Sequence, residues 1–502
     1  MSLNCPQDSS LGFEGITAPL RDHALARPHA TAIYFEDERI SWAQLDRDTD
    51  SLARALDVNG GRRPVLALCL PNSPALIRLF LAGVRAGYEV QVLDIDWPAS
   101  MVAALLDVLS PGLIIGTCEI ESTAARTAAI DPFAPCESWQ SQLGQEASTP
   151  LPTVDDETIF YAGFTSGSGG LPKGFRRTRQ SWLASFALDS QECELNTNDV
   201  IAAPGALSHS LFLYALVRGL HAGAAVVVGR RFTIGQWARA LESRSATVLY
   251  AVPAQLRLLM RANKRHFPRI RRVLCSGAKW RESGQGAFDQ YFPNAQWCEF
   301  YGASELSFVS IAKSEENPPP SSVGRAFSGV DISIRDPGGE PIPVGRIGEV
   351  FVSSPMVFSG YTGQSPVDSR SAISVGDIGY LDTDGFLFLV GRRDRMIVCA
   401  GKNIYPEEVE AVLTQYPGIL QAAVVGVDDV TRGQRLVGIV SIDGESDAKR
   451  AQIVEYCREY LPQYQVPTQY LRCVDWPRTR SLKTDYAALH TQLREKQLEP
   501  LK

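Results

Sequence analysis

Strand and helix patterns alternate along more than half of this chain, and this alternation restricts the possible folds more than any other feature. The pattern starts with a helix over 42–56, with apolar residues at helical spacing, and a short apolar strand over 65–70. It is repeated by helices over 75–87, 101–109, 234–242 and 253–262, and by strands over 90–93, 113–116, 224–228, 247–251 and 272–275. Because helices of this length connect parallel strands by right-handed crossovers, we predict largely parallel sheets flanked by helices.

The pattern changes in the last third of the chain. Short strand runs with glycine turns occupy residues from about 320 to 390, and a charged stretch at 391–395 leads to a proline-started helix over 406–415. A chain of 502 residues is too long for a single growing core. We predict an α/β protein with an N-terminal domain over 1–393, built from two mainly parallel sheets and the small β subdomain. A small mobile α+β domain would follow over 394–502.

Composition excludes several classes of partner. A net charge of −7 and a pI near 5.6 provide no basic surface for nucleic acid or an anionic membrane. The apolar stretch 207–229 contains His209, Arg218 and His221, which favours a buried helix, turn and strand over a membrane span. Residues 1–15 lack a signal-peptide pattern, and the ten cysteines lack metal-ligand spacing, so a cytoplasmic protein with reduced thiols is predicted.

A loop of hydroxyl groups, glycines and one lysine predicts a binding site for a polyphosphate. Its sequence is TSGSGGLPKG over 165–174, and its candidate ligands are Thr165, Ser166, Gly167, Ser168 and Lys173. Backbone N–H groups, little side-chain bulk and one positive charge suit an anion. The P-loop of nucleotide hydrolases is excluded because Pro172 precedes the lysine and Gly174 follows it, which leaves no hydroxyl placed for Mg²⁺.

Further segments, in order along nearly the whole chain, resemble the motifs of the adenylate-forming superfamily. This superfamily comprises acyl-CoA synthetases, the adenylation domains of peptide synthetases and firefly-type luciferases. The matching segments are 164–174, YGASE at 301–305, GDIGY at 376–380 with 384–385 and 391–394, GKNIYPEEVE at 401–410, and PRTRSLK at 477–483. The ordered series is far more specific than any single motif.

The resemblance implies a two-step reaction, in which a carboxylate attacks the α-phosphate of ATP and a thiol then displaces AMP. In the first step Lys173 would hold pyrophosphate, Glu305 would bind Mg²⁺, Ser304 would contact the α-phosphate, and Lys483 would stabilise the developing charge. The resemblance further assigns the nucleotide to Gly277, Ala278, Tyr301, Gly302, Asp377 and Arg392. Asp394, Gly401 and Lys402 would serve as the hinge and the loop of the thioester step.

The acyl-CoA synthetase branch fits the acid-binding segment best. His209 lies where these enzymes carry an aromatic-histidine segment, whereas domains that activate α-amino acids have an aspartate there, and 204–210 contains none. A buried ammonium group without a carboxylate would be costly, so an amino acid is a poor substrate. The acyl pocket is assigned to His209, Leu211 and Ser276. Coenzyme A is the default acceptor, with a carrier-protein thiol as an alternative.

Three departures from the superfamily pattern leave two other functions open. The phosphate loop has Ser168-Gly169-Gly170 in place of Thr-Thr-Gly, Leu482 replaces the glycine before the lysine, and Tyr486 replaces an arginine. All three affect adenylation, while the loop at Gly401 matches the pattern. One alternative is therefore a protein that only converts a pre-made acyl adenylate to a thioester. The other is a non-catalytic acyl-nucleotide-binding protein. The substrate acid and the oligomeric state stay open.

Overall fold

The structure, a computed structural model, describes residues 15–56, 65–118, 120, 125–143, 151, 153–165, 171–261, 265–277, 280, 285–368, 371–443, 449–479 and 483–501. Contacts within the described residues define two compact units. Unit 1 runs up to Asn317 and includes Ala326–Asp331 and Ser353–Ile373. Unit 2 takes Pro318–Arg325, Ile332–Val352 and the chain from Ser374. The domain boundary at Asp394 stays a prediction.

The α-helices of the described residues, in chain order, are α1 (Ala18–Ala26), α2 (Trp42–Ala55), α3 (Pro74–Arg85), α4 (Ala99–Leu109), α5 (Cys136–Leu143), α6 (Arg179–Cys193), α7 (Ser210–His221), α8 (Ile234–Ser243), α9 (Pro253–Arg261), α10 (Gln285–Tyr291), α11 (Pro406–Leu413), α12 (Arg450–Tyr460) and α13 (Tyr486–Arg494).

The strands are β1 (Thr31–Phe35), β2 (Glu38–Ser41), β3 (Val65–Cys69), β4 (Glu89–Val92), β5 (Leu113–Gly116), β6 (Arg126–Ala129), β7 (Ile159–Thr165), β8 (Lys173–Thr178), β9 (Val200–Ala202), β10 (Ala225–Val228), β11 (Val248–Ala251), β12 (Arg272–Cys275), β13 (Gln296–Ala303), β14 (Ser307–Lys313), β15 (Ser322–Ala326), β16 (Asp331–Arg335), β17 (Gly348–Ser353), β18 (Gly360–Tyr361), β19 (Asp377–Leu381), β20 (Phe386–Arg392), β21 (Ile397–Cys399), β22 (Lys402–Ile404), β23 (Ile419–Asp429), β24 (Gly433–Ile442), β25 (Gln469–Arg472) and β26 (Glu499–Pro500).

Unit 1 contains two sheets that are parallel in their centres. One has the strand order β18-β8-β7-β4-β3-β5-β6, and the other contains the run β14-β13-β12-β11-β9-β10-β1-β2. Antiparallel pairs occur at the ends of these runs, in β7 with β8 and in β13 with β14. Both of these antiparallel hairpins carry predicted nucleotide-binding residues.

The helices of unit 1 follow from local capping and from apolar sequence. The Ser73 side chain accepts a hydrogen bond from the Leu76 N–H at 3.1 Å, and Pro74 opens α3 at its first turn. Every residue of α3 except Arg85 is buried, as expected for a helix that is apolar on all sides. The stretch 207–229 forms buried α7, a turn and β10, which confirms the interpretation of that segment.

Unit 2 contains antiparallel strands followed by a small α+β part. β19 pairs with both β17 and β20, and β20 also pairs with β15. The later sheet has the order β22-β21-β24-β25-β26, with β23 paired to β24 over a long antiparallel register. Its apolar core includes Ile404 and Leu413 near α11 and Ile453 on α12.

The predicted fold class is confirmed, with parallel sheets in unit 1 and a small α+β part near the C-terminus. The sequence pattern did not predict the hairpin β1–β2 or that β7 and β8 flank the phosphate loop as paired strands. Among the described helices, none is both long enough and apolar enough to cross a bilayer.

Candidate active site

The hairpin β7–β8 places the two ends of the predicted phosphate loop opposite each other. Thr165 is the last residue of β7 and pairs in register with Lys173, the first residue of β8. Lys173 is exposed, and its Nζ lies 5.8 Å from the centroid of the Tyr361 ring. Ser166, Gly167 and Ser168, with Gly169 and Gly170, lie outside the described residues. The strand pairing therefore positions the lysine beside the loop.

Tyr361 connects this lysine to the predicted magnesium ligand. Its hydroxyl donates a hydrogen bond to Glu305 Oε1 at 2.9 Å, and the Glu305 side chain is buried. The Glu305 carbonyl also accepts from the Phe358 N–H at 2.7 Å, so backbone and side chain are both held by residues 358–361. The sequence did not indicate Tyr361, because this residue lies on β18. That strand pairs with β8, which is far away in the sequence.

Ser304 and Glu305 lie in the turn between β13 and β14, which brings the nucleotide and acyl segments together. The Ser304 Oγ lies 3.1 Å from the Oγ of Ser210, and either hydroxyl can donate. Ser210 is the first residue of α7 and follows His209 directly. The predicted α-phosphate donor therefore lies beside the half-buried acyl-pocket candidates His209 and Leu211.

A close backbone approach and a positive φ explain two glycines of this region. Gly302 lies on β13 after Tyr301, and a Cβ there would lie 2.0 Å from the Ser307 carbonyl oxygen. Gly277 follows Ser276 at the end of β12 with φ near +92°, which favours glycine. Ala278 lies outside the described residues. The Cβ contact at Gly302 and the positive φ at Gly277 each require glycine for a local structural reason.

Unit 2 brings the predicted ribose-binding pair together. Asp377 on β19 and Arg392 on β20 are cross-strand neighbours, and Arg392 Nε lies 3.2 Å from Asp377 Oδ1. Arg392 Nη2 also donates to the Val375 carbonyl at 2.8 Å, and its Nε lies 3.8 Å from Asp394 Oδ1. The predicted hinge aspartate is thus part of the same charged group.

Lys483 belongs to this group electrostatically. Desolvation lowers the pKa of Lys483, the charge of Arg392 lowers it further, and Asp377 raises it. The loop that carries the lysine is closed by the Thr479 N–H, which donates to the Lys483 carbonyl at 2.8 Å. Leu482, where the superfamily has glycine, lies outside the described residues.

The loop assigned to the thioester step is a tight hairpin between β21 and β22. Ala400 and Gly401 both have positive φ, near +49° and +75°, and Cys399 pairs in register with Lys402. Lys402 Nζ lies 4.8 Å from the Tyr464 ring centroid. A left-handed conformation at two successive residues accounts for the glycine, because the turn needs at least one residue without a Cβ.

Tyr486, which departs from the superfamily pattern, joins a partly buried charged cluster. Arg395 donates to Glu407 Oε1 at 2.8 Å and to Glu410 Oε1 at 2.6 Å, and its guanidinium lies 3.8 Å from the Tyr486 ring centroid. The Tyr486 hydroxyl donates to Glu410 Oε2 at 3.1 Å. This cluster links the residue after Asp394 to the start of α13, directly beyond the Lys483 loop.

Two family models match this chain, one after the other along the sequence. A model described as AMP-binding enzyme matches residues 20–362, and a second, described as AMP-binding enzyme C-terminal domain, matches residues 408–483. The first match alone covers more than half of the chain.

The chain belongs to the AMP-binding enzyme family. An uncharacterized acyl–CoA ligase of Bacillus subtilis is 34% identical over 470 residues, which is 93% of this chain and 96% of that protein. A putative long chain fatty acid-CoA ligase of Staphylococcus aureus is 28% identical over 90% of this chain and 93% of its own length. The predicted membership of the acyl-CoA synthetase branch of the adenylate-forming superfamily is confirmed, and with it the prediction of an AMP-forming enzyme.

Two solved structures share the fold of this chain. ATP-bound MatB from Rhodopseudomonas palustris has a TM-score of 0.86 at 20% identity and covers 96% of this chain and 99% of its own. The o-succinylbenzoate CoA synthetase of Bacillus subtilis, in complex with its acyl-adenylate intermediate, has a TM-score of 0.82 at 22% identity. It covers 95% of this chain and 97% of its own.

Proposed function

We propose that this enzyme joins a carboxylic acid other than an α-amino acid to coenzyme A in two steps. In the first, a carboxylate oxygen attacks the α-phosphorus of ATP, the bond to the β-phosphate oxygen breaks, and pyrophosphate leaves. In the second, the sulfur of the deprotonated coenzyme A thiol attacks the acyl carbon, and AMP leaves with the electron pair of the cleaved C–O bond. The products are an acyl-CoA thioester, AMP and pyrophosphate.

This proposal rests on one observation. In unit 1, the residues assigned to bind the phosphate, the metal and the acid lie next to one another in space. Lys173 lies near the Tyr361 ring, and Tyr361 donates to Glu305. Ser304, next to Glu305, lies within hydrogen-bond distance of Ser210 beside His209. A turn that presents a hydroxyl and a carboxylate, with an ammonium group near the tyrosine that holds this carboxylate, suits the adenylation step.

The residues present fit Mg²⁺ in this role. Glu305 offers carboxylate oxygens, and Tyr361 holds one of them in place. No cluster of three or more histidine, cysteine, aspartate or glutamate ligands occurs in the described part of the chain, so the ion would share Glu305 with phosphate oxygens. Bound there, Mg²⁺ would neutralise charge on the phosphates of ATP. Lys173 would add a positive charge on the pyrophosphate side.

The residues of unit 2 take the remaining roles. Asp377 would accept hydrogen bonds from the ribose hydroxyls, with Arg392 holding its carboxylate. Lys483 would stabilise the charge that develops between the carboxylate and the α-phosphate. Gly401 and Lys402, on the hairpin after Asp394, would serve the thioester step. The other nucleotide contacts assigned from the sequence, including Thr165, Tyr301 and Gly277, belong to the same proposal.

The acid is proposed to be organic and without an α-ammonium group. Segment 204–210 is fully described and contains no carboxylate that could pair with an ammonium ion near His209. The name acyl–CoA ligase borne by the Bacillus subtilis relative supports the same class of substrate. Ser276 and Leu211 would line the pocket with His209.

Carboxylate-dependent exchange of labelled pyrophosphate into ATP tests the first step alone. The purified chain would be screened with a panel of short, branched, aromatic and long-chain acids, with and without Mg²⁺. The proposal requires exchange with at least one acid. The assay would be repeated with pre-formed acyl adenylates and coenzyme A. Thioester formation from these adenylates without any exchange would show the thioester-only enzyme, whereas binding without either step would show a non-catalytic protein.

Acceptor and compartment are proposed together. Coenzyme A is the proposed acceptor, and a carrier-protein thiol offered in the same assay tests the alternative.

We propose the cytoplasm as the site of action, because the nine cysteines in the described part of the chain are free and all except Cys118 are buried. Fractionation of the producing cells, followed by immunoblotting, tests this location.

A further inference from the structure

Arg177 is a buried arginine without an acidic partner. It lies on β8, four residues after Lys173, and its side chain is only 2% exposed. Its three nitrogen atoms donate to neutral oxygens: Nε to the Ser181 hydroxyl at 3.2 Å, Nη1 to the Ser304 carbonyl at 3.1 Å and Nη2 to the Met356 carbonyl at 2.5 Å. Each nitrogen therefore makes one hydrogen bond, yet no carboxylate forms an ion pair with the guanidinium.

Two other buried arginines of unit 1 differ in this respect. Arg78 pairs with Asp48 at 2.8 Å, and Arg218 pairs with Asp189 at 3.1 Å. Within the described residues, no carboxylate oxygen lies within ion-pair distance of Arg177. A buried charge that is not paired is costly, so such a charge is retained where something compensates it.

The guanidinium remains charged at neutral pH. Burial lowers the pKa of Arg177 to about 10, while Tyr214, Tyr161 and Glu305 oppose this shift. Since a pKa of about 10 lies well above neutrality, Arg177 contributes a full positive charge to its surroundings. Glu305 is the carboxylate among the groups that act on it.

The carbonyls that Arg177 holds belong to the two segments that frame Glu305. Ser304 precedes Glu305 in the turn, and Met356 precedes the segment whose Phe358 N–H and Tyr361 hydroxyl bind Glu305. One planar guanidinium therefore connects both sides of the site through two separate nitrogens, whereas a lysine would have to reach both carbonyls from one nitrogen.

We propose that Arg177 is a positioning residue for the phosphate part of the nucleotide site. It fixes the Ser304–Glu305 turn against residues 356–361, and its uncompensated charge favours a phosphate-bearing ligand at that turn. This inference rests on the proposed function, because it takes the Ser304–Glu305 turn as the place where the α-phosphate lies. Arg177 itself contacts no substrate; it acts through Ser304 and Glu305.

The test compares AMP with adenosine, which differ by the phosphate. Arg177→Met removes the charge and both carbonyl contacts, and Arg177→Lys restores the charge alone. Arg179→Met is the matched control: Arg179 is also buried, its pKa is lowered to about 10 by burial with Asp156 opposing, and it donates to the Val84 carbonyl. Titration calorimetry would measure the dissociation constants of AMP and adenosine for all four proteins, each checked for folding by circular dichroism.

For Arg177→Met we expect the dissociation constant of AMP to rise about tenfold or more, the effect of a unit charge several ångströms away in a poorly screened site. Adenosine should bind all four proteins within about twofold of one another, since it lacks the group on which the charge acts. Arg177→Lys should recover part of the loss. In the exchange assay, kcat should fall about 10- to 100-fold for Arg177→Met, with Arg179→Met close to wild type.

An equal loss of AMP and adenosine binding in Arg177→Met, or AMP binding that matches wild type, would overturn the inference. If Arg177→Met fails to fold, Arg177→Lys is used for the test. This variant should bind AMP more weakly than wild type and adenosine as tightly as wild type. The binding data do not depend on turnover. If the wild-type protein shows no exchange with any acid, only the proposed function is contradicted. If Arg177→Met changes AMP binding and adenosine binding equally, the role of Arg177 is contradicted.

Discussion

Arg177 in unit 1 and Arg395 in unit 2 show two ways of placing a guanidinium inside a protein. Arg177 donates to a hydroxyl and two carbonyls, whereas Arg395 donates to Glu407 and Glu410 and stacks on Tyr486. Burial alone would lower the pKa of Arg395, but Glu410, Tyr486 and Glu407 outweigh it, and the pKa is raised. The pKa of Arg177 moves the opposite way.

The different hydrogen-bond partners of Arg177 and Arg395 indicate that the two arginines contribute differently. A guanidinium between two carboxylates is neutralised locally, and its loss leaves negative charge in the interior. Such a cluster is suited to stabilising a structure, here the start of α11 and the start of α13. A guanidinium that donates only to neutral acceptors keeps its net positive charge, and this charge can attract an anionic ligand. We therefore expect substitutions at Arg395 to affect mainly stability and those at Arg177 to affect mainly phosphate binding.

The largest expected effect is the destabilisation of unit 2 by Arg395→Met. Removing this partner from a partly buried ion pair leaves Glu407 and Glu410 uncompensated and should lower the local free energy of unfolding by up to about 3–5 kcal/mol. Hydrogen–deuterium exchange of the α11 amides measures this change. Arg393→Met is the matched control, because Arg393 is 64% exposed and its pair with Glu349 should contribute at most about 1 kcal/mol. Equal effects of the two substitutions would contradict the comparison.

Lys483→Ala should separate the two half-reactions. The lysine is assigned to charge that develops only during adenylation, so pyrophosphate exchange should fall about 10²- to 10³-fold, while thioester formation from a supplied adenylate stays nearly unchanged. Lys173→Ala should also weaken exchange and spare the second step. Wild-type exchange in Lys483→Ala would show that the loop around Leu482 no longer delivers the lysine to the site.

Arg177→Met should destabilise unit 1 less than Arg395→Met destabilises unit 2. The groups it leaves behind are two carbonyls and a hydroxyl, and unsatisfied neutral groups cost about 1–3 kcal/mol in total when some regain partners. The measurement is hydrogen–deuterium exchange of the β7 and β8 amides. A loss as large as that of Arg395→Met would mean that Arg177 is as structural as Arg395.

Over any single pH unit, the smallest expected effect is the pH dependence at His221 in unit 1. Burial lowers the pKa of His221 to about 4, with Arg218 and His23 adding to the shift and the hydrogen bond to the Ile16 carbonyl opposing it. The unfolded chain therefore binds more protons between about pH 6.5 and pH 4, so folded-state stability falls as the pH falls through this window, by at most about 1.4 kcal/mol per pH unit. Urea unfolding of wild type and His221→Gln checks this: the slope should be shallower in the variant.

The sequence predicted those parts of the fold that depend on local pattern. Alternating strands and helices identified the parallel sheets, whereas the domain boundary at the charged stretch before Pro406 stays a prediction. The pairings that assemble the site are not local. Ser210 meets Ser304 across 94 residues, and Tyr361 meets Glu305 across 56.

Arg177 could not be predicted for a different reason. In the segment from Phe175 to Thr178, two adjacent arginines indicate an exposed strand, yet Arg177 is buried because distant carbonyls satisfy it. Tyr486 was noted only as a missing arginine, and its contact with Arg395 depends on how α13 packs. Motif order assigned the candidate site residues, whereas the contacts between them became visible only in the tertiary structure.

The central claim is that the enzyme makes an acyl adenylate and then a thioester, and a single-turnover quench tests it most directly. The protein would be mixed with α-labelled ATP, Mg²⁺ and a responsive acid in the absence of coenzyme A, then quenched and separated. The account predicts labelled acyl adenylate close to one equivalent per protein, which coenzyme A then converts to AMP and acyl-CoA. Unchanged ATP with every acid, while supplied adenylates still react with coenzyme A, would contradict it.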